Sequence, residues 1–264
     1  MPVSDVVGLE DHLRERRDSG HKLLVPYVTG GLGKDWAEVV RAYADAGADA
    51  IEIGIPFSDP VMDGPTIQEA SEVALEQGAN LGAILQELRD IDAGVPLVVM
   101  TYVNLVFHAG YARFAAEAVA ANVGGVILPD LPMEEVGEWE PFAKEAGLAT
   151  VQLASPLTAD KRLARLCARS QGFIYGVNLL GVTGARSDLA ESSTVLAARL
   201  KATTDLPVIM GFGIATVAHA RAATVEADGV IVASALMRLR LDGAGPEDLG
   251  AYVAELRAGL DQPS

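Results

Sequence analysis

Two carboxylates eleven residues apart carry the strongest chemical signal in the chain. Glu52 lies in AIEIG, between two isoleucines, in an apolar run of the kind that marks a strand buried on both faces. A carboxylate there is costly to desolvate unless it is paired or protonated, and burial raises its pKa. The competing reading of the same residue is a Glu on the outward face, tied to a helix. Asp63 follows in MDGP, a segment that by itself reads as a turn in which Asp bonds its own backbone. Together they offer one buried carboxylate and one loop carboxylate at the same mouth, and such different environments separate two acids into proton-transfer and electrostatic roles. A second constellation is rich in small residues: GVTG at 181–184, GFGI at 211–214 and ASA at 233–235. Each alone is a simple turn. In successive strand-to-helix connections they suggest a phosphate site built from backbone N–H groups and a helix N-terminus.

Other chemistries find little support. None of Lys22, Lys34, Lys144, Lys161 and Lys201 falls at the C-terminal end of an expected strand, which disfavours an imine-forming aldolase. His12, His21, His108 and His219 are scattered without ligand spacing, so no metal site is expected. Cys167 is predicted on a helix, away from any mouth. Carboxylate acid–base chemistry on a phosphorylated substrate, without a cofactor, is what remains.

The elements that must position these residues repeat. A helical stretch, a small-residue turn and four to six apolar residues recur along the chain, and strands are expected near 22–27, 50–54, 96–102, 125–128, 149–153, 173–177, 207–210 and 229–232. A helix follows each, and an extra one at about 8–18 precedes the first. This pattern predicts an α/β fold, a (β/α)8 TIM barrel, though an open sheet leaves a similar trace. Long βα connections follow strand 2, at 55–65, and strand 6, at 178–188, on the face where barrel sites are built.

The 264 residues contain no Pro-rich or Ser-rich linker, so 1–264 reads as a single barrel domain. A lone cysteine allows no internal disulfide and suits a reducing, cytoplasmic setting. The first twenty residues do not read as a signal peptide, and no apolar run is long enough to span a membrane. A net charge of -16 argues against nucleic acid as a partner. It also means that phosphate must be held locally rather than drawn in from a distance.

IEIGIPFSDPVMDGPTIQ at 51–68 resembles the signature of the tryptophan synthase α family, and the resemblance continues through VMTYVNLVFHAG at 99–110, LPDLPMEE at 128–135, GVTGAR at 181–186 and GFGI at 211–214. The resemblance implies retro-aldol cleavage of indole-3-glycerol phosphate to indole and glyceraldehyde 3-phosphate. Indole would pass to a β subunit in an αββα assembly, where that partner's pyridoxal phosphate (PLP) completes L-tryptophan synthesis; no cofactor is implied in this chain. By position, Glu52 would protonate indole C3 and assist deprotonation of the glycerol hydroxyl, while Asp63 would accept the indole N–H. Tyr175 would position Glu52, although a core aromatic is an equal reading of that residue. Tyr27, Met100 and Tyr102 match positions that line the indole pocket. Gly184, Gly213, Ala233 and Ser234 match positions whose N–H groups hold the phosphate, with the Ser234 hydroxyl helping; Gly211 is a further substrate-binding position, and Thr183 would close loop 6. The Ser58-Asp59-Pro60 segment and Asn104 resemble the face that docks the β subunit, whose binding would order loop 2 and raise activity. Three departures stand out: Ala233 where the family often has Gly, Met62 where it has a small residue, and GGLGK at 30–34 in place of Gly-Asp-Pro. The competing functions are a sugar-phosphate isomerase on the same barrel, disfavoured because strand ends 1 and 5 lack carboxylates, and a non-catalytic regulatory subunit.

Overall fold

A computed structural model describes residues 8–177, 186–211 and 213–262, the backbone alone at 186–191. Eight parallel strands close into a barrel in the order β1 to β8. They are β1 Leu23–Thr29, β2 Ile51–Gly54, β3 Leu97–Met100, β4 Val123–Ile127, β5 Ala149–Ala154, β6 Ile174–Val177, β7 Val208–Gly211 and β8 Gly229–Val232. The closing pair is β1 with β8, Leu23 to Pro26 opposite Gly229 to Val232, so no sheet edge is left open and the open-sheet alternative falls away.

Helices wrap the barrel: α1 Leu9–Asp18, α2 Trp36–Asp45, α3 Pro65–Glu76, α4 Leu81–Leu88, α5 Val103–Ala109, α6 Tyr111–Ala120, α7 Glu140–Ala146, α8 Asp160–Arg169, α9 Arg186–Lys201, α10 Val217–Ala223, α11 Ser234–Leu241 and α12 Pro246–Leu260. The expected helix after each strand is present, and β2, β3 and β8 are each followed by two. None of the described helices is long and apolar enough to cross a membrane.

Alternation along the strands sorts side chains between two cores. Ile51 and Ile53 of β2 face outward and pack with Val39, Val40, Ile67 and Ala70 of the surrounding helices. Leu23, Val25, Ala50, Val98, Ile127, Phe173, Tyr175, Ile209 and Ile231 fill the barrel, which α1 plugs from below with Leu9 and Leu13. Each such buried aliphatic side chain contributes about 1.5–3 kcal/mol. Asp49 ties the layers together at the end opposite the mouth. Its carboxylate accepts the Leu24 N–H at 2.8 Å, Arg16 of α1 at 2.7 Å and Arg257 of α12 at 3.1 Å, which offsets the cost of its burial.

Candidate active site

With Ile51 and Ile53 packed against helices, the strand's period of two turns Glu52 into the barrel. It is 1% exposed, beside Tyr27 of β1 and Val98 of β3 in the register of the sheet. The outward-facing alternative is therefore wrong. Its Oε2 is buried without a hydrogen-bond partner. Burial, reinforced by the nearby charge of Asp63, pushes the Glu52 pKa up to about 8, so at neutral pH the group holds its proton.

Asp63 reaches the same mouth from the loop between β2 and α3. Two internal bonds shape this loop: the Val61 N–H donates to Asp59 O at 2.8 Å and the Asp63 N–H to Pro60 O at 3.0 Å. Gly64 then caps α3 and Pro65 opens it, where a missing N–H costs no helical bond. Gln68 reaches back one turn to donate to the Asp63 carbonyl at 2.9 Å. The Tyr102 hydroxyl donates to Asp63 Oδ2 at 2.8 Å and accepts the Met62 N–H at 3.0 Å. Burial raises the Asp63 pKa, and the bond from Tyr102 opposes that rise. These bonds join loop 2 to α3 and to Tyr102. Met62 turns outward, 43% exposed, so its bulk meets no packing limit.

Two tyrosines lean over glycines at the mouth. A Cβ on Gly54 would lie 1.9 Å from the Tyr27 hydroxyl, and one on Gly211 would lie 2.4 Å from Cε2 of Tyr175. The Gly211 position is explained by this ring, whatever its part in phosphate binding. The Tyr27 hydroxyl accepts from Thr29 Oγ1 at 3.3 Å. Burial raises the Tyr175 pKa well above its usual value, and the Glu52 and Asp63 charges add to the rise, which places all three groups within one electrostatic neighbourhood.

On the other side of β1 lies β8, after whose end Ala233 precedes α11 and Ser234 is its first residue. Ala233 has φ -115°, a conformation open to any residue, so the alanine carries no backbone strain. Gly213 does take positive φ, at 49°. Arg238, the basic side chain nearest along α11, is paired with Glu69 of α3.

This arrangement of acids, phenols and helix terminus has counterparts in known proteins. A family model described as tryptophan synthase alpha chain matches residues 13–249. The chain belongs to that family. A tryptophan synthase alpha chain from Xanthomonas euvesicatoria is 45% identical over 94% of this chain and 96% of its own. One from Streptomyces avermitilis is 40% identical over 96% of this chain and 94% of its own. Among solved structures, tryptophan synthase of Mycobacterium tuberculosis superposes with TM-score 0.89 at 36% identity, over 97% of this chain and 98% of that one. The alpha subunit from Legionella pneumophila gives 0.86 at 32% identity, over 96% and 98%. Like the family, the chain is a carbon–carbon lyase that splits indole-3-glycerol phosphate into indole and glyceraldehyde 3-phosphate in tryptophan biosynthesis. The isomerase reading is set aside. Tryptophan synthase alpha chains work with a β subunit.

Glu52, Asp63, Tyr175, Tyr27 and Tyr102 come together at the mouth, and Met100, half-buried, ends β3 beside Gly54. Thr183 and Gly184 lie outside the described residues. Ser58, Asp59 and Asn104 are exposed on the rim. Sequence reasoning missed Phe57, whose ring stacks on Tyr102 at 4.8 Å, and Asp130, which accepts the Val103 N–H at 2.9 Å and so fixes the start of α5 beside Tyr102. It also missed Gln68 as a loop anchor. All three sit inside the motifs that carry the resemblance, and their polar or aromatic character there was the available signal.

Proposed function

We propose that Glu52 and Asp63 carry out the cleavage as an acid and an anion, in a single barrel domain. The observation that carries this reading is the pairing of a fully buried, protonated Glu52 with an Asp63 held at the same mouth by Tyr102. Glu52 delivers its proton to indole C3, which turns the ring into a leaving group. The C3–C bond to the glycerol chain then breaks, its electron pair returning to the ring. The adjacent hydroxyl loses its proton to the Glu52 carboxylate and becomes the aldehyde. Asp63 accepts the ring N–H and stabilises the positive charge that the ring holds between protonation and cleavage. Tyr175 keeps the Glu52 side chain over C3, while Tyr27, Met100 and Tyr102 enclose the ring.

The phosphate is held by N–H groups of Gly184, Gly213, Ala233 and Ser234, with the Ser234 hydroxyl helping, at the positive end of α11, and with Thr183 closing above. The pairing of Arg238 with Glu69 supports this backbone reading. The reaction requires no cofactor in this chain; PLP belongs to the β subunit, which docks on Ser58-Asp59-Pro60 and Asn104 in a cytoplasmic αββα complex. The deciding measurement is indole release from indole-3-glycerol phosphate by Glu52→Gln. Turnover should fall by at least ~10²-fold with the fold intact. Near-normal release by a folded variant would remove Glu52 from the mechanism.

A further inference from the structure

The helix proposed to bind phosphate is not held only by its apolar face. Arg240, in its last turn, reaches back to the loop between β1 and α2. Its Nη2 donates to Leu32 O at 3.0 Å, its Nε to the same oxygen at 3.3 Å, and its Nη1 to Ala244 O at 3.0 Å. The guanidinium also pairs with Asp35, whose carboxyl it holds below the usual range. Gly33 leaves room for this group: a Cβ there would lie 2.2 Å from Nη2, and its φ of +82° disfavours any other residue. The same loop is anchored on two further sides. The Gly33 N–H donates to Gln77 at the end of α3 at 2.8 Å, and Leu32, 4% exposed, is embedded in the core. Arg238 adds a direct tie from α11 to Glu69 of α3.

We infer that Arg240 is a positioning residue for the phosphate end of the site. By locking α11 onto the β1–α2 loop, it keeps the N–H groups of Ala233 and Ser234 aimed at the phosphate before substrate arrives. This deepens, and rests on, the assignment of phosphate to the α11 N-terminus. The physical reason is preorganisation. An eight-residue helix is marginal by itself, so its orientation must come from tertiary ties. A planar fork that satisfies two carbonyls and a carboxylate fixes it better than a point charge.

The test uses the full chain and two probes, sn-glycerol 3-phosphate and indole. Arg240→Met should raise the Kd for glycerol phosphate and the KM for substrate about 5- to 20-fold, with kcat within about 3-fold and indole affinity unchanged. Arg240→Lys should recover only part of that loss. Asp35→Ala, at a more exposed site, loosens the same brace without touching α11 and should shift the same two constants by about 2- to 5-fold. Ser234→Asp keeps the backbone and places a carboxylate at the first turn of α11, where it competes with the phosphate, and so reports on the phosphate site itself. Lost phosphate affinity in Ser234→Asp, with unchanged affinity in whichever of the Arg240→Met and Asp35→Ala variants folds, overturns the positioning role alone. Unchanged phosphate affinity in Ser234→Asp overturns the assignment of phosphate to α11, and the inference with it. Equal losses for indole and glycerol phosphate in Arg240→Met would mark Arg240 as merely structural.

Discussion

Replacing Glu52 by Gln should make the protein more stable as it makes it less active, and the gain should grow with pH. The folded chain keeps the Glu52 proton up to about 8, while the unfolded chain releases it near its usual 4.5. Within that window the native state binds more protons than the unfolded state, so stability falls as pH rises. Below the window both states are protonated and the penalty vanishes; above it both are ionised and the penalty is complete. At 1.36 kcal/mol per pH unit, the penalty is about 1 kcal/mol at pH 5.5, about 3 at pH 7 and about 5 above pH 8. Gln keeps the shape without the charge. Its unpaired amide adds a cost of its own, but one that does not vary across this range, so the change with pH is the decisive quantity. Urea unfolding of both proteins at pH 5.5, 7 and 8.5 measures it. A stability difference between Glu52→Gln and wild type that stays flat from pH 5.5 to 8.5 would refute the reasoning, because it would mean that Glu52 ionises as freely inside the barrel as outside. The wild-type rate should fall over the same upper limb, as the acid form is lost above about 8.

Tyr102→Phe removes the donor that holds Asp63 at 2.8 Å and the acceptor for the Met62 N–H, so kcat should fall about 10-fold with little change in Tm; an unchanged kcat would detach Tyr102 from the chemistry. Gly211→Ala puts a methyl 2.4 Å from the Tyr175 ring, which must move; activity should drop while phosphate affinity changes less, and the reverse pattern would show that Gly211 serves the phosphate first. A cognate β subunit should raise indole release about 10- to 100-fold, within ordinary coupling energies. Equal rates with a partner that demonstrably binds would sink that idea, and full activation of Asp59→Ala would exclude the Ser58–Pro60 segment as the docking contact.

Eight short apolar runs, each followed by a helical period, pointed to a barrel, because strands buried on both faces read as continuous hydrophobic segments and length favours closure, but only the pairing of β1 with β8 excluded an open sheet. Glu52 was legible for the same reason: a carboxylate between two isoleucines contradicts its surroundings unless it has a use. The family motif supplied Asp63. What one dimension could not contain was direction and contact. Whether Glu52 faced the core or a helix depended on which neighbours packed Ile51 and Ile53. Tyr102 read as pocket lining, yet its hydroxyl lies against Asp63, 39 residues away in the chain. Gly211 read as a substrate-binding residue in a glycine-rich loop, while the space it leaves is taken by Tyr175. Arg240 gave no signal at all, since its partners Leu32 and Asp35 lie more than two hundred positions earlier. Periodicity records burial, which is a property of single residues. Hydrogen bonds, close approaches and shifted pKa values belong to pairs, and barrel closure is what brings those pairs together.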